Sequence, residues 1–277
     1  MIRRLFPGRA LVHLAVAAII IYCLAPFYWM AISALRRPGD QFATSLLPNP
    51  ASLGNFATAF DPASGFTRGL LNSLVVAAVT TAITLAVASC SGYALARLRI
   101  PAKPLVLGLI AATAMFPGIT LLVPLLKLFT DIGWINTYQA MVLPSLSFAL
   151  PLAVWNLNAF FRRLPHELEE AAQIDGCTPA QAFRKVILPL AAPGVFTTAI
   201  LVFIASWNEY LFAVSVVNKK EMMTASVAVS LFNGKYGYDL PYGSQMAAGV
   251  AVTLPLVVAV LLFQRRIVAG LTAGGVK

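Results

Sequence analysis

Apolar residues run along this chain in long stretches of about 20, the length that spans a hydrocarbon layer of about 30 Å at 1.5 Å per residue. Shorter polar segments between them hold nearly all of the charge. Lipid cannot satisfy backbone polar groups, and the alternating pattern of a closed barrel is missing, so the runs are read as helices. The pattern predicts an all-α polytopic membrane protein with spans at Leu11 to Leu35, Leu70 to Ala96, Leu105 to Leu128, Ala140 to Phe161, Val195 to Val217 and Ser244 to Phe263. Both termini then lie on one side. Pro26, Pro117, Pro124, Pro144, Pro151 and Pro255 fall inside spans, where each removes a backbone donor and is expected to kink its helix. Ordinary irregularity and a gating role are both open for them.

Composition agrees with this solvent. The chain is 59% hydrophobic and 11% charged, against about 45–50% apolar and 25% charged for a soluble domain, and its mean hydropathy is +0.81. Arg3, Arg4 and Arg9 precede the first span as in a signal peptide, but the apolar stretch is too long and no small-residue cleavage site follows cleanly, so an uncleaved helix is expected. On the side of the termini stand Arg3, Arg4, Arg9, Arg97, Arg99, Lys103, Arg162, Arg163, Arg184, Lys185, Arg265, Arg266 and Lys277. The other side holds Arg36, Arg37, Arg68, Lys127, Lys219, Lys220 and Lys235. Thirteen of the 20 basic residues against seven place both termini in the cytoplasm by the positive-inside rule. The net charge of +10 therefore reports topology and contact with anionic lipid headgroups. No basic-aromatic platform supports nucleic acid.

Reactive chemistry is scarce. Cys23 and Cys90 sit within spans and Cys177 in a cytoplasmic loop, a pattern that supports neither a disulfide framework nor a metal site, and His13 and His166 are far apart in sequence. No glycine-rich phosphate loop, nucleophile elbow or His-Glu-x-x-His is present, so neither ATP hydrolysis nor another enzymatic activity is expected of this chain.

One polar segment carries structure of its own. Glu169, Glu170, Ala171, Ala172 and Ile174 give a short helix with an acidic first turn, ended at Gly176 beyond Asp175. Thr178 then caps a second helix, with Pro179 at its first position and Gln181 completing a capping box. Ala182, Phe183, Val186 and Ile187 share an apolar side, Arg184 and Lys185 face away, and Leu188-Pro189 is expected to stop the helix. Such a knob suits docking into a groove of another protein. The residues alone leave open a hairpin lying on the headgroups and binding nothing.

The spacing Glu170-Ala171-Ala172, Gly176 and Val186-Ile187-Leu188-Pro189 resembles the EAA loop of permease subunits of ATP-binding-cassette importers. Trp207-Asn208-Glu209-Tyr210-Leu211-Phe212, Leu261-Leu262-Phe263-Gln264-Arg265-Arg266 and the end from Gly270 to Lys277 are similar to carbohydrate importers of the maltose-permease type. The chain looks like the second, shorter permease of the pair, most like the trehalose-importer permease of actinobacteria. That resemblance implies a type I importer fold in a bacterial cytoplasmic (inner) membrane. It also implies a heterodimer with a second permease, two ATPase subunits that hold the ATP and Mg, and an extracytoplasmic solute-binding protein; this chain itself is expected to carry no cofactor. The coupling interface would comprise Glu170, Ala171, Ala172, Asp175, Gly176, Thr178, Pro179, Phe183, Arg184, Leu188 and Pro189 within the loop 162–194, with Glu170 holding the knob against basic groups of the ATPase. Thr272, Gly274 and Gly275 in the tail 266–277 would tuck between the ATPase subunits.

The resemblance also divides the chain into an N-terminal segment and first helix (1–35), an external loop docking the binding protein (36–69, with surface helices near Leu53 to Phe60), and a core (70–265). In the fifth span Trp207, Asn208, Glu209 and Tyr210 are candidates for the translocation path. A carboxylate at mid-helix costs about 2.5–3.5 kcal/mol on insertion scales, so Glu209 is expected to face a watery cavity or the sister permease. The loop from Asn218 to Gly243, with Asn233, Gly234, Tyr236, Tyr238 and Tyr242, matches in position a loop that enters the binding protein in the maltose system. The substrate favoured is a disaccharide such as trehalose or maltose, with other oligosaccharides, amino sugars and glycerol-phosphate compounds open. A proton-coupled secondary transporter using Glu209 and a structural scaffold are the rival classes.

Overall fold

A computed structural model describes residues 7–232 and 241–272, and divides into two compact units, Met1–Thr67 with Val229–Leu254 and Arg68–Ala228 with Pro255–Lys277.

In the first unit, helix α1 (Pro7–Leu35) leaves none of its most apolar window buried. Its C-terminal carbonyls are satisfied by the chain that returns beneath it. Asn55, in helix α2 (Gly54–Ala59), donates from Nδ2 to the carbonyls of Ala34 at 3.0 Å and Arg36 at 2.7 Å, and the Ser52 N–H donates to Leu35 at 2.8 Å. The surface helix expected near Leu53 to Phe60 is therefore present, and it works as a lid on a helix end. Arg36 is 2% exposed, with its guanidinium 4.7 Å from the centre of the Trp29 ring and a hydrogen bond of 2.5 Å to the Ser45 carbonyl. Gly243 lies against Asn55, where a Cβ would come within 2.5 Å of the amide.

The second unit holds α3 (Phe66–Arg97), α4 (Lys103–Ala114), α5 (Gly118–Asp131), α6 (Tyr138–Phe161), α7 (Glu167–Ile174), α8 (Pro179–Leu190), α9 (Ala192–Trp207), α10 (Leu211–Val216), most of α11 (Ala225–Ser230) and the C-terminal part of α12 (Tyr242–Thr272). α6 is its centre, with 61% of its apolar window buried. One half of α6, with Met141, Val142 and Leu146, packs on Val76, Phe129 and Val216; the other, with Ala153, Leu157 and Phe161, packs on Leu95, Ile187 and Val202. α3 and α9 approach α6 closely because glycine stands at each crossing. Asn158 donates from Nδ2 to the Gly92 carbonyl at 3.1 Å, and Gly194 sits over Phe160 so tightly that a Cβ would lie 2.5 Å from its ring.

Four of the six expected spans are single helices: Leu11–Leu35, Phe66–Arg97, Tyr138–Phe161 and Tyr242–Gln264. The third is not. α4 and α5 are bent by 83° at a break before Gly118, where Pro117 takes extended backbone and cannot donate back to the preceding turn. The fifth is also interrupted, since α9 ends at Trp207 and the helix restarts only at Leu211. The remaining prolines behave differently from Pro117: Pro26, Pro124, Pro144, Pro151 and Pro255 all lie inside continuous helices. α12 runs on past the expected end of the sixth span to Thr272.

Gly194→Ala forces the Phe160 ring or α9 to move, an overpacking that costs about 1–3 kcal/mol. A lower melting temperature in detergent is expected, partly restored by adding Phe160→Leu; an unchanged melt of the single variant would show that the crossing is looser than this.

Candidate functional site

The knob forms as its residues dictate. α7 ends in a Schellman motif, with the Gly176 N–H donating to the Gln173 carbonyl at 3.0 Å and the Cys177 N–H to Ala172 at 2.9 Å. Gly176 has φ +86°, the left-handed backbone that glycine adopts without strain. The capping box follows: Gln181 N–H donates to Thr178 Oγ1 at 3.3 Å, the Thr178 N–H donates to Gln181 Oε1 at 2.9 Å, and Pro179 fills the first turn. α8 does not stop at Leu188-Pro189. It widens into a π turn over Phe183–Ile187 and continues to Leu190, and only at Ala191 does the chain bend by 73° into α9. The wide turn accommodates Pro189, whose ring would otherwise meet the carbonyl four residues earlier and whose nitrogen has no proton to give it.

The apolar side of α8 is turned into the chain's own bundle. Ala182 and Ile187 are buried, and Phe183 rests on Tyr93 with ring centres 4.5 Å apart and on Phe161 at 6.2 Å. Ala172 is also buried and Leu188 half-buried. Of the residues expected at a partner interface, Ala172 and Phe183 thus hold the knob in place, because an apolar face next to a membrane bundle is covered first by that bundle. Glu170, Ala171, Asp175, Gly176, Thr178 and Pro179 are left exposed, as are Arg184 and Pro189, which with Leu188 line a cavity of about 600 Å³ against Ser89 and Cys90 of α3 and Ala192 of α9. Ile174 is 85% exposed, a large apolar side chain at the tip with nothing from its own chain over it.

The carboxylate that fastens the knob to its own chain is Glu169. Glu169 is buried and lies 2.6 Å from Arg97 Nε as an ion pair, without the alignment of a directed hydrogen bond. Tyr93 donates its hydroxyl to Glu169 Oε2 at 3.1 Å, and Arg97 Nη2 donates to the Leu164 carbonyl at 2.7 Å. The end of α3 therefore grips the entry to the loop, its first helix and, through the Tyr93 ring, its second. The sequence held a signal for this. Glu169 stands three residues before Ala172 on the same helical face, whereas Glu170 falls one step round.

The second candidate group sits at the interruption of the fifth span. Glu209 is not at mid-helix: its two oxygens accept from the Phe212 N–H at 2.8 Å and the Ala213 N–H at 3.1 Å, capping α10. The positive end of α10 inside its own chain thus holds both oxygens of a half-buried carboxylate at the break, where the sequence pattern suggests a mid-helix charge. Trp207 is 3% exposed and stacked on Phe203 at 5.7 Å, so its ring is not free to receive a ligand. Asn208, which donates to the Ile204 carbonyl at 2.8 Å, and Tyr210 are exposed. Thr272 is the last residue of α12, while Gly274 and Gly275 of the tail, and Asn233, Gly234, Tyr236 and Tyr238 of the outer loop, lie outside the described residues.

Residues 88–272 match the family model described as binding-protein-dependent transport system inner membrane component. The chain belongs to this family. The permease is 43% identical over 256 residues to the trehalose transport system permease protein SugB of Mycobacterium tuberculosis, covering 92% of this chain and 93% of that one. It is 38% identical over 270 residues to the trehalose/maltose transport system permease protein MalG of Thermococcus litoralis, covering 97% of each. Among solved structures, a bacterial ABC transporter involved in import of the acidic polysaccharide alginate matches with a TM-score of 0.80 at 18% identity, over 96% of this chain and 98% of that one, which establishes a shared type I importer fold. The permease is a multi-pass inner-membrane subunit and not an enzyme.

Thr178→Ala removes one half of the capping box, at a cost of about 1 kcal/mol. Faster amide exchange confined to the first turn of α8 is expected; exchange unchanged there would mean that the cap does not hold the turn. Glu169→Ala leaves the Arg97 charge unpaired in a buried site, at roughly 3–5 kcal/mol, whereas Glu170→Ala removes an exposed side chain. Melting of the two purified variants should separate them clearly, and equal melts would contradict the assignment of Glu169 as the anchor.

Proposed function

We propose that the permease is one of two different membrane subunits of an ATP-driven sugar importer, and that the 162–194 loop is the point at which the ATPase acts on it. The observation that carries this reading is the division of the knob into two faces. Its apolar face is fixed to α3 and α6, and its first helix and turn present Glu170, Asp175 and the bare Ile174. A knob merely lying on headgroups would turn its apolar face to the lipid and leave charge for water. One held from behind, with a single apolar tip projecting among charges, suits insertion into a pocket of a soluble partner.

Two ATPase subunits bind and hydrolyse ATP with Mg, and closure around nucleotide moves the knob and the helices fixed to it. The loop and both termini are cytoplasmic, as the distribution of arginine and lysine supports. The segment 36–69, packed on the end of α1, receives the solute-binding protein outside, and the end of the chain beyond Thr272 contacts the ATPase subunits. Asn208 and Tyr210, exposed beside the break between α9 and α10, face the sister permease or the path between the two, with Trp207 and Glu209 holding the break in shape. The substrate is a disaccharide of the trehalose or maltose kind, a reading that rests on the two curated relatives; other oligosaccharides remain the alternative.

Ile174→Arg tests the docking. The altered permease should insert and pair with its sister subunit but lose most of its co-purifying ATPase and reduce uptake of labelled trehalose at least tenfold; full retention of the ATPase would contradict the reading. Uptake should also vanish when the ATPase is disabled by substitution of its own catalytic residue. Transport that survives on a proton gradient would overturn ATP-driven import.

A further inference from the structure

α3 is unlike the other long helices. α1, α6 and α12 hold Pro26, Pro144 with Pro151, and Pro255, whereas no proline lies within the 32 residues of α3. A helix with every donor in place and no ring against a preceding turn has no built-in hinge.

Both ends of this rod are fastened inside the second unit. At one end Tyr93 and Arg97, one turn apart, hold Glu169, Phe183 and the Leu164 carbonyl. At the other, Asn72 is fully buried and each of its amide groups is engaged: Nδ2 donates to the carbonyls of Glu221 at 2.9 Å and Met223 at 2.8 Å, and Oδ1 accepts from the Tyr138 hydroxyl at 2.8 Å. Ser73 Oγ accepts from the Ala225 N–H at 2.9 Å. The distance from Asn72 to Arg97 is about 38 Å along the helix axis at 1.5 Å per residue, enough to cross the membrane.

We propose that α3 is a rigid link between the two faces of the membrane. Tyr93 and Arg97 are the positioning residues that tie it to the coupling loop, and Asn72 and Ser73 tie it to the connection between α10 and α11 and to the start of α6. Movement of the loop is delivered through α3 to the far side rather than dissipated at a kink. The link rests on the docking reading given above, because the ATPase supplies the push. It assigns Glu169 a role distinct from docking: its carboxylate faces inward, so its loss disconnects the loop from α3 while the outer face stays as it was.

The test uses the complete transporter, both permeases with ATPase and binding protein, reconstituted in vesicles. The variants are Arg97→Glu, Glu169→Arg, the two together, and Ala82→Pro at an exposed position midway along α3, with Ala82→Leu as control. The readouts are co-purifying ATPase, ATP hydrolysis and sugar transported per ATP consumed. Each single variant and Ala82→Pro should keep the ATPase subunits yet transport at least tenfold less per ATP. The charge-exchanged pair should recover to within threefold of the unaltered complex, and Ala82→Leu should match it.

The link is overturned if the single variants or Ala82→Pro stay within twofold of normal coupling. It is equally overturned if the single variants lose the ATPase and the exchange of charges fails to restore coupling. Should Ala82→Pro not assemble, the charge exchange alone decides on these same criteria. Loss of the ATPase in Ile174→Arg together with normal coupling in these variants removes the rigid link and leaves the docking reading standing. Retention of the ATPase in Ile174→Arg removes the docking reading itself.

Discussion

A carboxylate buried at the end of a helix bundle must be paired, and the whole loop is arranged around the pairing of Glu169. Arg97 supplies the opposite charge, Tyr93 supplies a hydrogen bond, and both side chains project from the last turns of a single helix. Removing either charge leaves the other stranded in a poorly solvated site. The interaction therefore fixes where α7 stands relative to α3. Once α7 is placed, the Schellman turn at Gly176 and the capping box at Thr178 set the direction of α8, whose apolar side then meets Tyr93, Phe161 and the core around Ile187.

That arrangement separates two tasks that the sequence runs together. Residues that attach the loop to its own chain lie on one side of each short helix, and residues available to a partner lie on the other. The attachment is buried, apolar contacts around one ion pair; the exposed side is polar, with charges of both signs and an isoleucine at the tip. Exposed charges are screened by salt, so any contact they make with a partner weakens as ionic strength rises, while the buried ion pair and its apolar surroundings are screened much less. On the proposed docking, the contact would be stiff on the permease side and adjustable on the partner side.

Much of this was legible in the residues. Helices capped by Thr178 and ended by Gly176 are local matters, decided by side-chain oxygens and by a glycine's access to positive φ, and the sequence reading of both agrees with the structure. The single-helix spans were legible because length and apolarity alone specify them. What could not be read locally was the outcome of competition between elements. Proline at 117 and proline at 144 look alike in sequence, yet one sits at a sharp break and the other inside the central helix, where neighbours on several sides hold it. Glu209 looked like an isolated charge in a span because the break at Asn208 to Tyr210 was not foreseen, and the break is what supplies backbone donors for it to cap. The apolar face of α8 looked like a docking surface because the sequence does not say that α3 and α6 already cover it.

The central claim is that the knob meets the ATPase with its outer face while its inner face stays on its own bundle. A photoreactive amino acid placed singly at position 174 or at position 187 of the assembled transporter tests it most directly. The account predicts a cross-link from position 174 to an ATPase subunit and none from position 187, whose products should stay within the permease. A cross-link to the ATPase from position 187, with none from position 174, would contradict it.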